Sequence, residues 1–383
     1  MNLNDAVELA GGDILVADVP PCLPLDTFES ARGSLEFLEG ISGPLHEGLT
    51  SRPTHIRVVQ SSSIVCSTRR LSDESHLVVV PLGLIVRLRL LAGLMLRHWQ
   101  QQHIYLYAEH AVGRTKKKCP PLLVSLFDHY RNDESYWPLA SDLEARIPDI
   151  AYLESDIKEL IHLALVNVVG HELGHVVRKH ANARRLFRAG CGDTARVAMF
   201  ERMLEYDADV VSASWSIFTL ELQLQVANQV DRLPLASLRM GYALTLLYAL
   251  YDATVRNYEA YAESRYMHPL VRRHLFVEVT HANLREGNIE WWRVYAPNEL
   301  RGWVEAALAL NDLAFECGAG KWGDVGTDPR DYIPLSALHY NTSEVAVHQS
   351  HFDAEFARYS TFLDDYEKIM GEEPRLRFNW PPV

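Results

Sequence analysis

The chain has 383 residues, of which 48% are hydrophobic and 23% are charged, a composition typical of soluble globular proteins. A chain of this length can bury a large core, so we expect one large unit or two fused ones. The net charge of −13 argues against nucleic-acid binding and against an anionic membrane surface. We therefore expect no nucleic-acid partner.

Cysteines and apolar runs bear on the cellular compartment. The 5 cysteines are scattered and contain no C-x-x-C pair, which is typical of reduced thiols. The N-terminus has no basic segment followed by an apolar one, so no signal peptide is predicted. The longest apolar runs, Leu77–Leu96 and Leu244–Val255, are interrupted by charged residues, and neither supplies the ~20 clean apolar residues of a spanning helix. We expect a cytoplasmic chain without stable membrane insertion.

The first hundred residues predict an arm followed by strands and a helix. Residues 1–54 are rich in proline and glycine and predict an irregular arm with one short helix near Thr27–Leu38. Residues 55–68 predict one or two strands, and His76–Val80 predicts another. Apolar residues at helical spacing then predict a helix over Leu84–Gln101.

An uninterrupted helix is predicted from Leu153 to Ala183, with Ser155 as its N-cap. Residues 102–150, just before it, are interpreted as an insertion. Two glycines inside the predicted helix, Gly170 and Gly174, weaken it by about 1 kcal/mol each relative to alanine. They allow either another backbone or a substrate to come close.

The rest of the chain is mainly helical. Helices are predicted near Thr194–Gln229, Ala236–Ala260, Pro269–Ala282, Glu299–Cys317 and Phe352–Gly371. The predicted organisation is an irregular arm over 1–54, a main domain over 55–290 with its insertion, and a mainly helical C-terminal extension over 291–383.

The stretch HELGHVVRKH carries the strongest chemical signal. Residues four apart share a helix face, so His171 and His175 can meet one metal ion. Glu172 follows the first histidine directly and can reach a water on that metal. Helix geometry argues against His162 and His180 as further ligands. Each lies nine residues from His171, about two and a half turns along a continuous helix, so each should face away from the metal as a packing or surface residue.

A catalytic zinc ion needs a third protein ligand, and the best candidate lies in LEYDADVVSA. Glu205 can bind the metal, while Asp209, one turn further, can accept the free N–H of a ligand histidine. Glu201 is the alternative ligand, and Asp207 is expected to face away. The competing interpretation of this segment is a solvated acidic helix face.

HELGHVVRKH followed by EYDAD resembles the gluzincin metallopeptidases, in particular the HtpX and CaaX prenyl protease family. That family has the pattern H-E-x-x-H-x-x-x-x-H followed by E-x-x-A-D, and an H-P dipeptide with a downstream arginine. Here His268-Pro269 precedes Arg272 and Arg273. A strand followed by a helix with Gly83-Leu84 also matches, so the similarity spans residues 55–282. The regulatory gluzincins of the ImmA/IrrE type and phage-exclusion proteases are looser matches.

The resemblance implies an α+β, mainly helical fold: a zincin-like core with the H-E-x-x-H helix, a helix carrying the glutamate ligand, and a small antiparallel sheet. It implies Zn²⁺ as the cofactor and Glu172 as the general base. His268 is the expected donor to the developing oxyanion, with Tyr266 as second choice and Arg272 or Arg273 as supporting charge.

The expected function is a zinc-dependent endopeptidase acting on protein or peptide substrates. Because spanning helices are not predicted, prenylated membrane substrates are not expected. The alternative is a regulatory or partner-binding module with little general proteolytic activity. A catalytic site keeps an open metal position beside an exposed edge strand, for which Ser61–Thr68 is the candidate, whereas a structural site is closed by a fourth ligand. The sequence indicates neither the cleavage site nor the oligomeric state.

Overall fold

The computed structural model describes residues 1–14, 18–45, 53–107, 136–138, 140–141, 144, 151–252, 269–316 and 342–370. These residues form a mainly helical structure with one three-stranded sheet. The prediction of a mainly helical α+β chain is confirmed.

Helices make up most of the described part of the chain. In chain order they are α1 (Leu3–Glu8), α2 (Leu25–Leu45), α3 (Leu82–Tyr107), α4 (Glu154–Val177), α5 (His180–Gly190), α6 (Thr194–Val226), α7 (Leu233–Asp252), α8 (Pro269–Gly287), α9 (Ile289–Glu316) and α10 (Thr342–Met370). Short 3-10 turns at Ala151–Leu153 and Val230–Arg232 precede α4 and α7.

The sheet contains β1 (Thr54–Val59), β2 (Ser67–Arg70) and β3 (His76–Pro81), with β3 in the centre. β2 pairs antiparallel with β3, but β1 pairs parallel with β3. The prediction of an antiparallel sheet is therefore wrong for the β1–β3 pair. After β1, residues 60–66 cross to the far edge, and the chain returns through the β2–β3 hairpin into the centre. β1 and β3 consequently run in the same direction.

The crossing segment is fixed to the start of α3. The backbone N–H of Gly83 donates to the carbonyl of Ser61 at 2.8 Å. The fully buried guanidinium of Arg87 donates to the carbonyl of Ser62. These bonds satisfy two backbone carbonyls of the crossing segment and tie it to the start of α3.

α4 lies at the centre of the main hydrophobic core. It is apolar on all sides because α2, α3, α6 and α7 pack around it. By length and composition, α4 and the segment Val230–Tyr251 are apolar enough to cross a membrane, and 83% and 78% of their most apolar windows are buried inside the protein. A helix at the centre of a protein core meets the same criteria.

Two glycines let α6 approach α4 closely. A Cβ atom at Gly174 would lie 2.9 Å from the Cα of Ala208, and one at Gly170 would lie 2.7 Å from Cδ1 of Trp215. Such contacts are too short for a larger side chain. The two open interpretations of these glycines are thus resolved in favour of close helix–helix packing.

The predicted continuous helix over Leu153–Ala183 is wrong at its C-terminal end. α4 ends at Val177, and Lys179 adopts a left-handed conformation with φ 51° and ψ 38° before α5 begins. This conformation is unfavourable for a residue with a side chain, so surrounding contacts must hold it; the hydroxyl of Tyr366 donates to the carbonyl of Arg178. The predicted cap Ser155 lies inside α4, and Leu153 precedes the helix without a side-chain cap bond.

Both terminal regions contribute to the protein core. α2 extends beyond the predicted Thr27–Leu38, and its buried residues join the main core. α9 begins at Ile289, ahead of the predicted Glu299, and continues through Pro297. It packs on α7, so the predicted boundary at residue 290 falls inside a core helix.

α10 packs on α5, α6 and α8 through a second hydrophobic cluster. In this cluster Tyr206 of α6 stacks on Tyr359 of α10 with ring centroids 4.3 Å apart. Phe200 of α6 packs against Phe362 of α10 at 5.1 Å. This packing holds the C-terminal helix against α6, the helix that carries Glu205.

Candidate metal centre

α4 and α6 bring three metal-binding side chains together. His171 and His175 lie one turn apart on α4, with their Nε2 atoms 3.2 Å apart. Glu205 of α6 places Oε2 3.3 Å from Nε2 of His171 and 3.4 Å from Nε2 of His175. The three donor atoms form a nearly equilateral triangle.

The size of this triangle fits one metal ion. In a tetrahedral site with bonds of ~2.0–2.2 Å, two donor atoms are separated by about 1.6 bond lengths, or roughly 3.3–3.6 Å. Among the described residues, this is the one group of three or more histidine, cysteine, aspartate or glutamate side chains with all donor atoms within 4.8 Å of one another. The group can hold a metal ion.

The electrostatics of the group favour a positive charge. Burial lowers the pKa of His171, but the charge of Asp209 and hydrogen bonds to Asp209 and Glu205 outweigh burial and raise this pKa to about 9. Burial raises the pKa of the Glu205 carboxyl, whereas the two histidines outweigh it and hold that pKa well below its usual range. A positive charge beside Glu205 therefore compensates its buried carboxylate, and either a protonated histidine or a metal cation can supply that charge.

His171 is held by a carboxylate that is itself held by a cation. Oδ1 of Asp209 lies 2.7 Å from Nδ1 of His171. Arg272 of α8 binds Asp209 with both arms, Nε to Oδ2 at 2.7 Å and Nη2 to Oδ1 at 2.8 Å. Asp209 thus lies beside the ligand histidine as an acceptor, as its position one turn after Glu205 predicts. Arg272 acts on the site through Asp209.

His175 is held by a longer series of contacts. Its Nδ1 lies 2.8 Å from Nδ1 of His180, and Nε2 of His180 lies 3.0 Å from Oδ2 of Asp207. Asp207 also accepts the hydroxyl of Tyr359 at 2.5 Å and faces Nε of Arg178 at 3.2 Å. Asp207 is only 2% exposed, so these contacts take the place of water around its carboxylate.

His180 and Asp207 lie outside the metal-binding group, as predicted, but the prediction that His180 faces away from the site is wrong. The count of helical turns assumed that α4 continues to His180, but the left-handed Lys179 turns the chain back and brings the His180 ring against His175. Burial lowers the pKa of His180 to about 4, so this ring is neutral. His162 lies outside the metal-binding group, with its Nε2 2.7 Å from the Gln223 amide nitrogen.

Glu172 is buried between α4 and the sheet. The hydroxyl of Thr68 donates to Oε2 of Glu172 at 2.7 Å. Thr68 belongs to β2, which is an edge strand among the described strands and overlaps the end of the predicted edge segment Ser61–Thr68. Burial and the Glu172 charge raise the pKa of the neighbouring Cys66 thiol well above its usual value, which keeps this thiol protonated.

The alternative ligand Glu201 does not join the metal-binding group. Its carboxylate accepts Nε of Arg188 at 2.5 Å. Arg184, which no sequence pattern indicated, lies between the two glutamates of α6. Its Nε is 3.9 Å from Oε1 of Glu201, and its Nη2 is 3.7 Å from Oε1 of Glu205. Arg184 therefore faces Oε1 of Glu205, whereas Oε2 is the oxygen that contacts the two histidines.

The expected oxyanion donors are only partly described. His268 and Tyr266 lie outside the described residues. Arg273 is fully buried, with its guanidinium 3.5 Å from the centre of the Trp303 ring. Arg272 is bound to Asp209. Neither arginine is thus placed as a free donor at the metal-binding group.

Comparison with known proteins adds no family assignment. No protein-family model matches the chain, and the searches of curated proteins and of solved structures found no match. The resemblance to the gluzincin metallopeptidases stays a prediction based on the motifs.

Proposed function

We propose that the chain is a zinc-dependent endopeptidase that hydrolyses peptide bonds in protein substrates. One observation carries the proposal: the donor triangle of His171, His175 and Glu205 has the size of a zinc site. The side chain that follows the first ligand is Glu172, the residue type that acts as general base in such sites.

The ligand set supports a catalytic rather than a structural site. Catalytic zinc sites use three nitrogen or oxygen ligands from the protein and keep one position open, whereas structural sites are closed by a fourth ligand. Within the described part of the chain, no fourth side chain joins the three-residue group. The ligand side chains His171 and His175 are 12% and 17% exposed, so solvent reaches them.

In the proposed reaction, zinc would supply Lewis-acid polarisation of water and of the scissile carbonyl. Glu172 takes a proton from the attacking water and passes it to the leaving amine. The Thr68 hydroxyl holds Oε2 of this carboxylate, which leaves Oε1 to accept the proton. Asp209 holds His171 in the tautomer whose Nε2 lone pair would bind the metal.

β2 is the proposed docking edge for the substrate. Among the described strands it pairs with β3 alone, so an extended peptide can add to its other side through backbone hydrogen bonds. Thr68 on this strand contacts Glu172 directly. A peptide bound along β2 would lie next to the proposed general base.

Glu172→Gln tests the proposal. This substitution preserves shape but removes the proton acceptor, so cleavage of an unfolded protein should fall by about 10²–10⁴-fold while bound zinc stays at the parent level. Glu159→Gln on the same helix is the matched control and should cleave at the parent rate. Equal cleavage by Glu172→Gln and the parent would overturn the mechanism. A zinc-loaded parent that cleaves no protein would favour the regulatory alternative.

A further inference from the structure

We propose that His180, Asp207 and Tyr359 are positioning residues that fix ligand His175 and make metal affinity depend on the docking of α10. We call these residues the His180–Asp207–Tyr359 chain. The inference rests on the proposed metal centre and adds a layer of control to it, because Tyr359 belongs to the C-terminal helix.

The chain of contacts is continuous from the metal-binding group to α10. It runs from Nδ1 of His175 to Nδ1 of His180 at 2.8 Å, and from Nε2 of His180 to Asp207 at 3.0 Å. The Tyr359 hydroxyl completes it with a 2.5 Å bond to the other oxygen of Asp207. Every distance is that of a hydrogen bond.

Both ends of the chain demand the same proton arrangement. Asp207 can only accept as a carboxylate, so Nε2 of His180 must donate and Nδ1 of His180 must carry the lone pair. This lone pair accepts the Nδ1 proton of His175, which leaves the lone pair of His175 on Nε2. Nε2 is the atom that faces Glu205 and His171. The arrangement that satisfies Asp207 is therefore the arrangement that His175 needs as a ligand.

The geometry around Asp207 keeps this arrangement stable. Arg178 lies 3.2 Å from the same carboxylate oxygen as His180, so a positive charge compensates the buried aspartate. His180 is only 1% exposed, and water cannot replace Asp207 as its partner. An imidazole held at both nitrogens cannot rotate without breaking a hydrogen bond, so its Nδ1 lone pair stays directed at His175.

α10 packs through one face, and this face includes Tyr359, the last residue of the His180–Asp207–Tyr359 chain. Glu355 forms a buried ion pair with Arg202 of α6, Tyr359 binds Asp207, and Tyr366 binds the backbone just after α4. These residues recur at the spacing of one helix face. Docking of α10 supplies the Tyr359 bond and should therefore raise the affinity for metal. Because such coupling is reciprocal, bound metal should favour docking of α10 by the same factor.

Substitution of His180 tests the first link, with zinc affinity as the readout. His180→Leu removes both hydrogen bonds and should weaken zinc binding by about 10–100-fold in chelator competition. His180→Asn retains an acceptor oxygen near the position of Nδ1 and should recover part of the affinity. Co²⁺-loaded His180→Leu should also show a changed visible absorption spectrum. The control is His162→Leu, which changes a partly buried histidine of α4 outside the group and should bind zinc like the parent.

A pair of α10 variants tests the link to the C-terminal helix. Tyr359→Phe and Tyr366→Phe each remove one hydroxyl from the same helix, but only Tyr359 bonds to Asp207. Tyr359→Phe should weaken zinc binding by about two- to tenfold, and Tyr366→Phe should weaken it less. Unfolding curves of the zinc-free proteins check that both variants fold.

The outcomes separate this inference from the proposed function. A parent that binds no zinc overturns the metal centre itself. A parent that binds zinc, with His180→Leu at parent affinity, overturns the positioning role alone. Equal zinc affinities in Tyr359→Phe and Tyr366→Phe overturn the specific link through Tyr359.

Discussion

The two ligand histidines of α4 lie one turn apart, yet different parts of the molecule hold them. His171 contacts the carboxylate of Asp209 directly, and Arg272 fixes that carboxylate. His175 contacts a second imidazole, His180, before any carboxylate is reached. The short support uses a compensated ion pair, whereas the long support uses neutral rings and extends to α10. Substitutions in the two supports should therefore differ in their effects on stability and on zinc affinity.

The largest expected effect is on the His171 side. Asp209→Ala leaves the mostly buried side chain of Arg272 without its carboxylate partner, which costs up to about 3–5 kcal/mol of unfolding free energy. Urea unfolding of the zinc-free protein measures this loss. The double variant Asp209→Ala/Arg272→Met removes both charges and should recover part of it. A double variant no more stable than the single one would contradict the ion-pair account.

Asp209 and Asp207 both belong to α6, so a change where α6 packs on α4 should affect the support of both ligand histidines. Gly174→Ala inserts a Cβ 2.9 Å from the Cα of Ala208, and separating the helices to make room costs about 1–3 kcal/mol. Zinc affinity should fall as well, because Glu205 moves away with α6. Gly33→Ala is the control, since its Cβ meets nothing within 4 Å. It should leave zinc affinity unchanged and stabilise α2 by up to about 1 kcal/mol.

Two matched aspartate variants compare the supports directly. Asp209→Asn should weaken zinc binding by about 10–100-fold, because the lost charge touches His171. Asp207→Asn should weaken it less, because its charge acts on His175 through His180. Chelator competition at equal pH gives both affinities. A larger loss in Asp207→Asn would reverse the order of the two supports.

The smallest expected effect is a pH dependence at His162, which has an amide partner instead of a carboxylate. Burial lowers the pKa of His162, with the Gln223 hydrogen bond opposing. Below about pH 6.5 the unfolded chain therefore binds a proton that the folded chain does not, and stability falls as the pH falls. His162→Gln should lose less unfolding free energy than the parent between about pH 7 and about pH 5. An equal or steeper loss would contradict this assignment.

Local sequence patterns correctly predicted the features that depend on a single helix or on two helices that follow each other in the sequence. Helical spacing was sufficient to pair His171 with His175, and the apolar surroundings of EYDAD indicated that Glu205 faces inward. The strands and most helices also follow from apolar periodicity. The direction of β1 relative to β3 does not, because it depends on the path of residues 60–66 across the sheet.

The rest of the site depends on contacts that spacing cannot reveal. His180 was assigned to the wrong face because nothing local predicts a left-handed Lys179. Asp207 was then left without a partner, although its apolar neighbours were a signal that it is buried. Tyr359 lies 152 residues from Asp207, and only the packing of α10 brings the two together. Thr68 reaches Glu172 for the same reason, through the placement of β2 beside α4.

The metal content of the purified chain, combined with zinc K-edge absorption, tests the central claim most directly. The account predicts one zinc ion per chain with nitrogen and oxygen neighbours at about 2.0–2.2 Å and no sulfur, and its loss in a Glu205→Ala variant. A parent without zinc, a sulfur ligand, or full zinc occupancy in Glu205→Ala would contradict the centre formed by His171, His175 and Glu205.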